Sequence, residues 1–220
     1  MGKSIRIFIA CGALIFLLCS CALPARQEQV PQLPPQERKE VARIQEKIVE
    51  GAMKIVRTQD LTVRGRTFNM DCNGLVLASY YYAGIDLEKD FGKYSGNGVE
   101  RLYRIMENDN LLYKVTEPVI GDIIFWDNTY DRNGDGKYND FFTHVGLVVT
   151  VTPAGEIGYA HCHYTKGVIV EYMNLHQPAT YMRGTGSSAV VVNSPMRMKK
   201  DVWDDNHTLS GQLFRIFGQG

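Results

Sequence analysis

The chain has 220 residues and balances 24 Lys and Arg against 24 Asp and Glu, which leaves no basic field for nucleic acid and no general attraction to anionic surfaces. Partners must therefore be recognised by a site. Once the N-terminal segment described next is set aside, residues 39–220 suffice for one domain with a sizeable core.

Lys3 and Arg6 precede an apolar run over residues 7–18, followed by Leu18-Cys19-Ser20-Cys21 and a polar turn of composition at Arg26. That is the layout of a secretory signal. The run is shorter than the ~20 residues that cross a bilayer as a helix. Leu18 and Ser20 ahead of Cys21 resemble the lipobox of bacterial lipoproteins, which implies that residues 1–20 leave as a signal peptide and that Cys21 is acylated as a membrane anchor. The alternative is an ordinary signal cleaved near Ala22 or Ala25. In either case the protein leaves the cytoplasm. Residues 21–38, rich in Pro and Gln, read as an extended tether between membrane and domain.

The domain opens on Val41, Ile44, Ile48, Ala52 and Ile55, a helical spacing with charges between. After a short polar stretch at 57–66, residues 71–83 form a second helical segment dense in apolar residues and ended at Gly84. Residues 99–108 predict a third helix, with Leu102, Ile105 and Met106 on one side. The second half changes character. Residues 122–126, 144–151, 158–163 and 168–172 are short β-branched and aromatic runs separated by Gly, Pro, Asn and Asp, as in an antiparallel sheet. Helices first and strands afterwards give an α+β domain, with N-terminal helices packed on the sheet. In the tail, residues 209–217 predict a short helix.

Cys72 follows Asp71 at the start of the second helix, where unpaired N–H groups and the helix dipole favour a thiolate. His144 opens a strand beside Gly146. A base from the sheet and a nucleophile from the packed helix, distant in sequence, are what a cysteine hydrolase needs, with a third polar group to orient the imidazole. His161 and His163 are the candidates for that third place. Cys72 and Cys162 are the two cysteines after Cys21, and in an oxidising compartment they could pair. On a strand, however, His161 and Cys162 point to opposite faces, so a site-facing His161 directs Cys162 away from Cys72.

These blocks resemble the NlpC family of papain-like peptidases that cut peptidoglycan stem peptides. Asp71-Cys72-Asn73-Gly74-Leu75-Val76 is similar to its nucleophile helix, usually Asp-Cys-Ser-Gly. Gly121-Asp122-Ile123-Ile124-Phe125 and His144-Val145-Gly146-Leu147-Val148 are similar to its Gly-Asp strand and its base-bearing strand, and Tyr159-Ala160-His161 falls where it carries the third catalytic residue. The resemblance runs from Val41 to about Asn174. It implies a papain-like fold and a cysteine endopeptidase with Cys72 as nucleophile, His144 as base and His161 as orienting residue. It also places Asp71, Asn73 and Phe68 at the substrate, and implies no cofactor for catalysis. The expected partners are peptidoglycan peptides and, through Cys21, the membrane of the cell envelope (the periplasmic face of the outer membrane in a Gram-negative cell); the chain is expected to be a monomer. Three departures stand out: Asn73 replaces serine, the stretch before the nucleophile is reduced to Arg64-Gly65-Arg66-Thr67-Phe68, and the loop before His144 is enlarged.

That loop carries Asp131, Asn133, Asp135, Lys137 and Asn139 at alternate positions with Gly136 sixth, which matches the first nine positions of an EF-hand-like calcium loop. The twelfth position is Phe142, so the closing carboxylate would have to come from Asp140 or Asp127. The other reading is a polar turn. A structural calcium ion there would stiffen the loop that delivers His144. The rival to an enzyme is a catalytically silent, calcium-stabilised module that binds the wall; an amidase or acyltransferase using the same Cys-His pair lies between.

Overall fold

The computed structural model describes residues 34–202 and 207–220. The signal segment, Cys21 and the tether up to residue 33 lie outside the described residues. Helix α1 (Pro35–Thr58) buries Gln45, Ile48, Gly51, Ala52 and Ile55 along one stripe, the face that its apolar spacing predicts. It begins at Pro35, so residues 35–38, expected in the tether, are helical; proline suits a first helical turn because its missing N–H has no partner there. The polar stretch after α1 folds into a small hairpin, β1 (Thr62–Val63) and β2 (Arg66–Thr67), over Arg64 and Gly65, both at positive φ.

Helix α2 (Cys72–Ala83) is set by its caps. The Asp71 carboxylate accepts from the Gly74 N–H at 2.7 Å, and Gly84 closes the C-terminus at φ 97°, the left-handed conformation that glycine adopts without a Cβ clash. Residues 74–80 are all buried. Helix α3 (Gly98–Asn108) is capped by Asn97, whose side chain accepts from the Glu100 N–H at 2.8 Å.

Six strands form one antiparallel sheet in the order β3 (Leu112–Tyr113), β10 (Phe214–Gly218), β4 (Ile123–Trp126), β5 (His144–Val151), β6 (Ile157–His163), β7 (Gly167–Met173). A separate hairpin pairs β8 (Met182–Arg183) with β9 (Val190–Val191). Helices α1 and α2 cover one face of the sheet, packing on Val145, Leu147, Val149, Ala160 and Val168. The opposite face carries Ile124, Trp126, Val148, Tyr159, Met173 and Phe217 under Met196 and Leu213 from the C-terminal segment. The domain is thus α+β, with helices packed on an antiparallel sheet, as expected.

The expected helix at 209–217 is instead a turn followed by β10. Leu209, Leu213 and Phe217 recur at four-residue intervals, which imitates a helix. In the sheet, Ile216 packs toward the helical face and Phe217 toward the other, with a register shift between Phe214 and Ile216; the bulge supplies the break in alternation that hides the strand.

Gly121 and Asp122 join these parts. Gly121 sits at φ 88°. The fully buried Asp122 carboxylate accepts from the Val119 N–H at 2.7 Å, the Gly220 N–H at 2.9 Å and the Tyr113 hydroxyl. Burial raises its carboxyl above the ordinary range, yet those donors hold β3, the turn before β4 and the C-terminal segment on one group.

Candidate active site

Cys72 is the first residue of α2. The chain arrives from Asn69 directly beneath the first helical turn: a Cβ on Gly74 would lie 1.9 Å from the Asn69 carbonyl oxygen, so only glycine fits. This packing and the Asp71 cap fix Cys72 at the end of the sheet where β5 starts and β6 finishes. His144 opens β5, and two residues on a Cβ on Gly146 would meet the Ala160 carbonyl oxygen at 2.9 Å and the Trp126 ring at 3.0 Å. The absent side chain admits the Trp126 ring, whose centroid lies 5.8 Å from that of His144.

A polar chain crosses three strands from there. His144 Nε2 lies 3.0 Å from His161 Nδ1, and His161 Nε2 lies 3.1 Å from Glu171 Oε2 on β7. His161 is 3 % exposed. His163 is engaged elsewhere: its ring stacks on Tyr164 at 4.6 Å, and its Nδ1 accepts from the Thr165 N–H at 3.1 Å. The bond to His144 therefore belongs to His161. Sequence reasoning missed Glu171. Its residue pairs with Tyr159 across the β6–β7 ladder, which puts it diagonal to His161 on the same face, within reach of a long side chain; an acidic residue inside the apolar run 168–173 was the available signal.

Cys72, His144 and His161 line one cavity of about 370 Å³ together with Asp71, Cys162 and His163. Its remaining walls are largely apolar, from Met70, Tyr130, Tyr164, Pro195, Met196 and Met198, and no Lys or Arg is among the described lining residues. The expectation that Cys162 faces away from the site is corrected. Cys162 packs toward the helical core, the side from which α2 delivers Cys72, and its Sγ lies 3.8 Å from the Met70 carbonyl oxygen. The cavity sits at the strand ends and gathers groups from both faces of the sheet, so opposite orientations do not separate them. Both cysteines are free thiols.

Of the residues expected at the substrate, only Asp71 lines this cavity. Phe68 is buried against Tyr81 at 5.6 Å with the Arg66 guanidinium over its ring. Asn73 turns to the start of α3, where a Cβ on Gly98 would be 2.8 Å from its Nδ2. Both belong to the packing that seats α2, beside a smaller recess.

The electrostatics depart from the thiolate that a helix N-terminus suggests. Burial pushes the Cys72 thiol up to about 12, Asp71 and Cys162 add to this, and the Val145 and Asn73 N–H groups oppose it. His144 is held well below its ordinary 6.5, chiefly by burial, with His161 and His163 adding. The cavity accordingly holds a neutral thiol and a neutral imidazole. Desolvation outweighs the helix dipole because it penalises the charged form of both partners.

The enlarged loop walls the cavity with Thr129, Tyr130 and Thr143. Its base is closed by the Asp140 N–H on Asn128 Oδ1 at 2.8 Å, the Phe142 N–H on Asp127 Oδ1 at 2.8 Å and the Thr129 N–H on Thr143 Oγ1 at 3.0 Å. The C-terminal segment holds it from outside through the Met198 N–H on the Thr129 carbonyl at 2.8 Å and Arg215 on Asp127 at 2.6 Å. At the tip, Asp131 accepts from the Gly134 and Gly136 N–H groups, Asn133 from the Asp135 N–H, and Asp135 from the Lys137 N–H and Asn139 Nδ2. The oxygen donors suit a hard cation, but Asp140 is only 2 % exposed. Among the described residues no group of three or more His, Cys, Asp or Glu side chains converges to hold a metal ion.

No family model matches the chain, and neither a curated protein nor a solved structure matches it.

Proposed function

We propose that the protein is a papain-like cysteine hydrolase that cuts an amide bond in peptidoglycan stem peptides. The observation that carries this reading is one cavity holding Cys72 and His144, with His144 bonded to His161. Because both partners are neutral, the thiol gives its proton to His144 as its sulfur attacks the carbonyl carbon. The Cys72 backbone N–H, at a helix N-terminus, serves the developing oxyanion. Collapse breaks the C–N bond, and the proton on His144 passes to the leaving amine. Water, deprotonated by His144, then releases the acyl group and restores the thiol.

The choice of peptidoglycan rests on the resemblance of the segments around Cys72, His144 and His161 to the NlpC family. The same reading sets the domain on the periplasmic side of the envelope through acylated Cys21, and assigns a structural calcium ion to Asp131, Asn133, Asp135, the Lys137 carbonyl and Asn139. A second reading is favoured by the apolar walls and the lack of a described lining Lys or Arg: an amidase or acyltransferase working on an apolar acyl group. Mass spectrometry of peptidoglycan fragments incubated with the protein tests the first, with Cys72→Ala as control. New fragments lost in the control establish the hydrolase and name the bond. Intact fragments alongside a turned-over fatty acyl amide select the second reading, and no turnover of either leaves a wall-binding module.

A further inference from the structure

We propose that Glu171 is a positioning residue that sets, through His161, which nitrogen of His144 carries the proton. The inference rests on the Cys72 and His144 reading above, but its test does not need turnover. Glu171 is largely withdrawn from water, at 14 % side-chain exposure, on the sheet face that also bears Tyr159 and Met173. A carboxylate there requires a donor. Its Oε2 meets His161 Nε2 at 3.1 Å, while the exposed Lys166 reaches only its other oxygen, at 3.9 Å.

A carboxylate accepts and cannot donate, so His161 Nε2 bears the proton in this contact. With one proton on its ring, His161 then presents a bare Nδ1 to His144 Nε2 at 3.0 Å. That bond needs a hydrogen from His144, which places the single His144 proton on Nε2. The nitrogen left unprotonated is His144 Nδ1, the only ring position from which it can take the Cys72 proton. The His161–Glu171 and His144–His161 contacts, with one proton on each ring, fix these steps. Without Glu171, His161 is free to carry its proton on Nδ1, donate to His144 Nε2 and leave the His144 proton on Nδ1, where it blocks the base.

Long-range proton–nitrogen correlation spectra of the full chain, labelled with ¹⁵N-histidine, read these tautomers directly. The wild type is expected to show both His144 and His161 protonated on Nε2. Glu171→Gln keeps an accepting oxygen and should retain that pattern, whereas Glu171→Leu should transfer His161 population to the Nδ1 form and shift His144 with it. A wild-type His161 protonated on Nδ1 overturns the proposal, even where the leucine variant does not fold. Unchanged tautomers in a folded Glu171→Leu protein overturn it equally. Where turnover is measurable, Glu171→Leu should lower kcat by about 10- to 100-fold with KM little changed, as loss of an outer-shell partner does elsewhere, and Glu171→Gln should recover most of it. The expected tautomers without turnover in the wild type would sustain the role of Glu171 in the relay and remove the hydrolase reading instead.

Discussion

Alkylation of Cys72 should climb with pH and show no neutral plateau. The perturbation is iodoacetamide at pH 5 to 10 on a Cys162→Ser variant, with the modified peptide quantified by mass spectrometry. Burial sets the thiol at about 12 against an ordinary 9.0, so near pH 7.5 its thiolate fraction is roughly 10³-fold below that of a free cysteine. A more basic thiolate is also more nucleophilic, and a Brønsted slope of ~0.45 returns a factor of roughly 20. The net expectation is alkylation about 50-fold slower than free cysteine, with the logarithm of the rate rising by about one per pH unit up to pH 10. The sign is fixed by the acid: raising a thiol's pKa keeps it protonated, so reactivity is gained only on the alkaline side. Stability runs the other way. The folded state keeps a proton that the unfolded chain releases, so this contribution is full below the ordinary 9.0 and is lost as pH climbs toward about 12. A rate plateau between pH 5 and 7, or alkylation faster than free cysteine, would mean a thiolate–imidazolium pair and would refute the neutral-pair mechanism.

Gly74→Ala sets a Cβ 1.9 Å from the Asn69 carbonyl oxygen, and should cost ~3 kcal/mol or more by overpacking backbone on backbone; an unshifted urea midpoint would show that this contact does not fix the start of α2. Asp122→Ala strands the Val119 and Gly220 N–H groups and the Tyr113 hydroxyl. A loss of at least ~3 kcal/mol is expected, since each buried orphan costs ~1–3, with Asp122→Asn losing less; equal losses would place the effect outside the acceptor role. Calcium at 100 times its dissociation constant should stabilise the chelator-stripped protein by ~2.7 kcal/mol, seen as a raised thermal midpoint that Asp135→Ala abolishes. An unchanged midpoint would assign the loop at 131–139 to its own hydrogen bonds alone.

Much of the site was legible because it depends on local chemistry. The spacing of Ile48, Ala52 and Ile55 marks the buried stripe of α1, and Asp71 and Gly84 mark the caps of α2 by residue type. Runs bounded by Gly and Asn located the strands that carry His144 and His161. What escaped depends on quantities that a linear pattern does not carry. The Glu171 contact needs the register between β6 and β7. The place of Cys162 needs the position of the cavity at the strand ends, where alternation stops separating the faces. The neutral thiol needs the amount of solvent removed around Cys72, and β10 was disguised because its Phe217 shares a four-residue spacing with Leu209 and Leu213 ahead of it while a bulge breaks its alternation.

The position of β10 also dictates a schedule. Residues 214–218 lie between β3 and β4, strands made roughly a hundred residues earlier, so synthesis delivers this inner strand well after both of its neighbours. Until then β3 and β4 present unpaired edges, the kind of surface that captures other chains. Long-range closure of this sort is slow. The wall at Pro195, Met196 and Met198 closes in the same late stage. A nascent chain therefore holds Cys72, His144 and His161 without that enclosure until the C-terminal segment is in place.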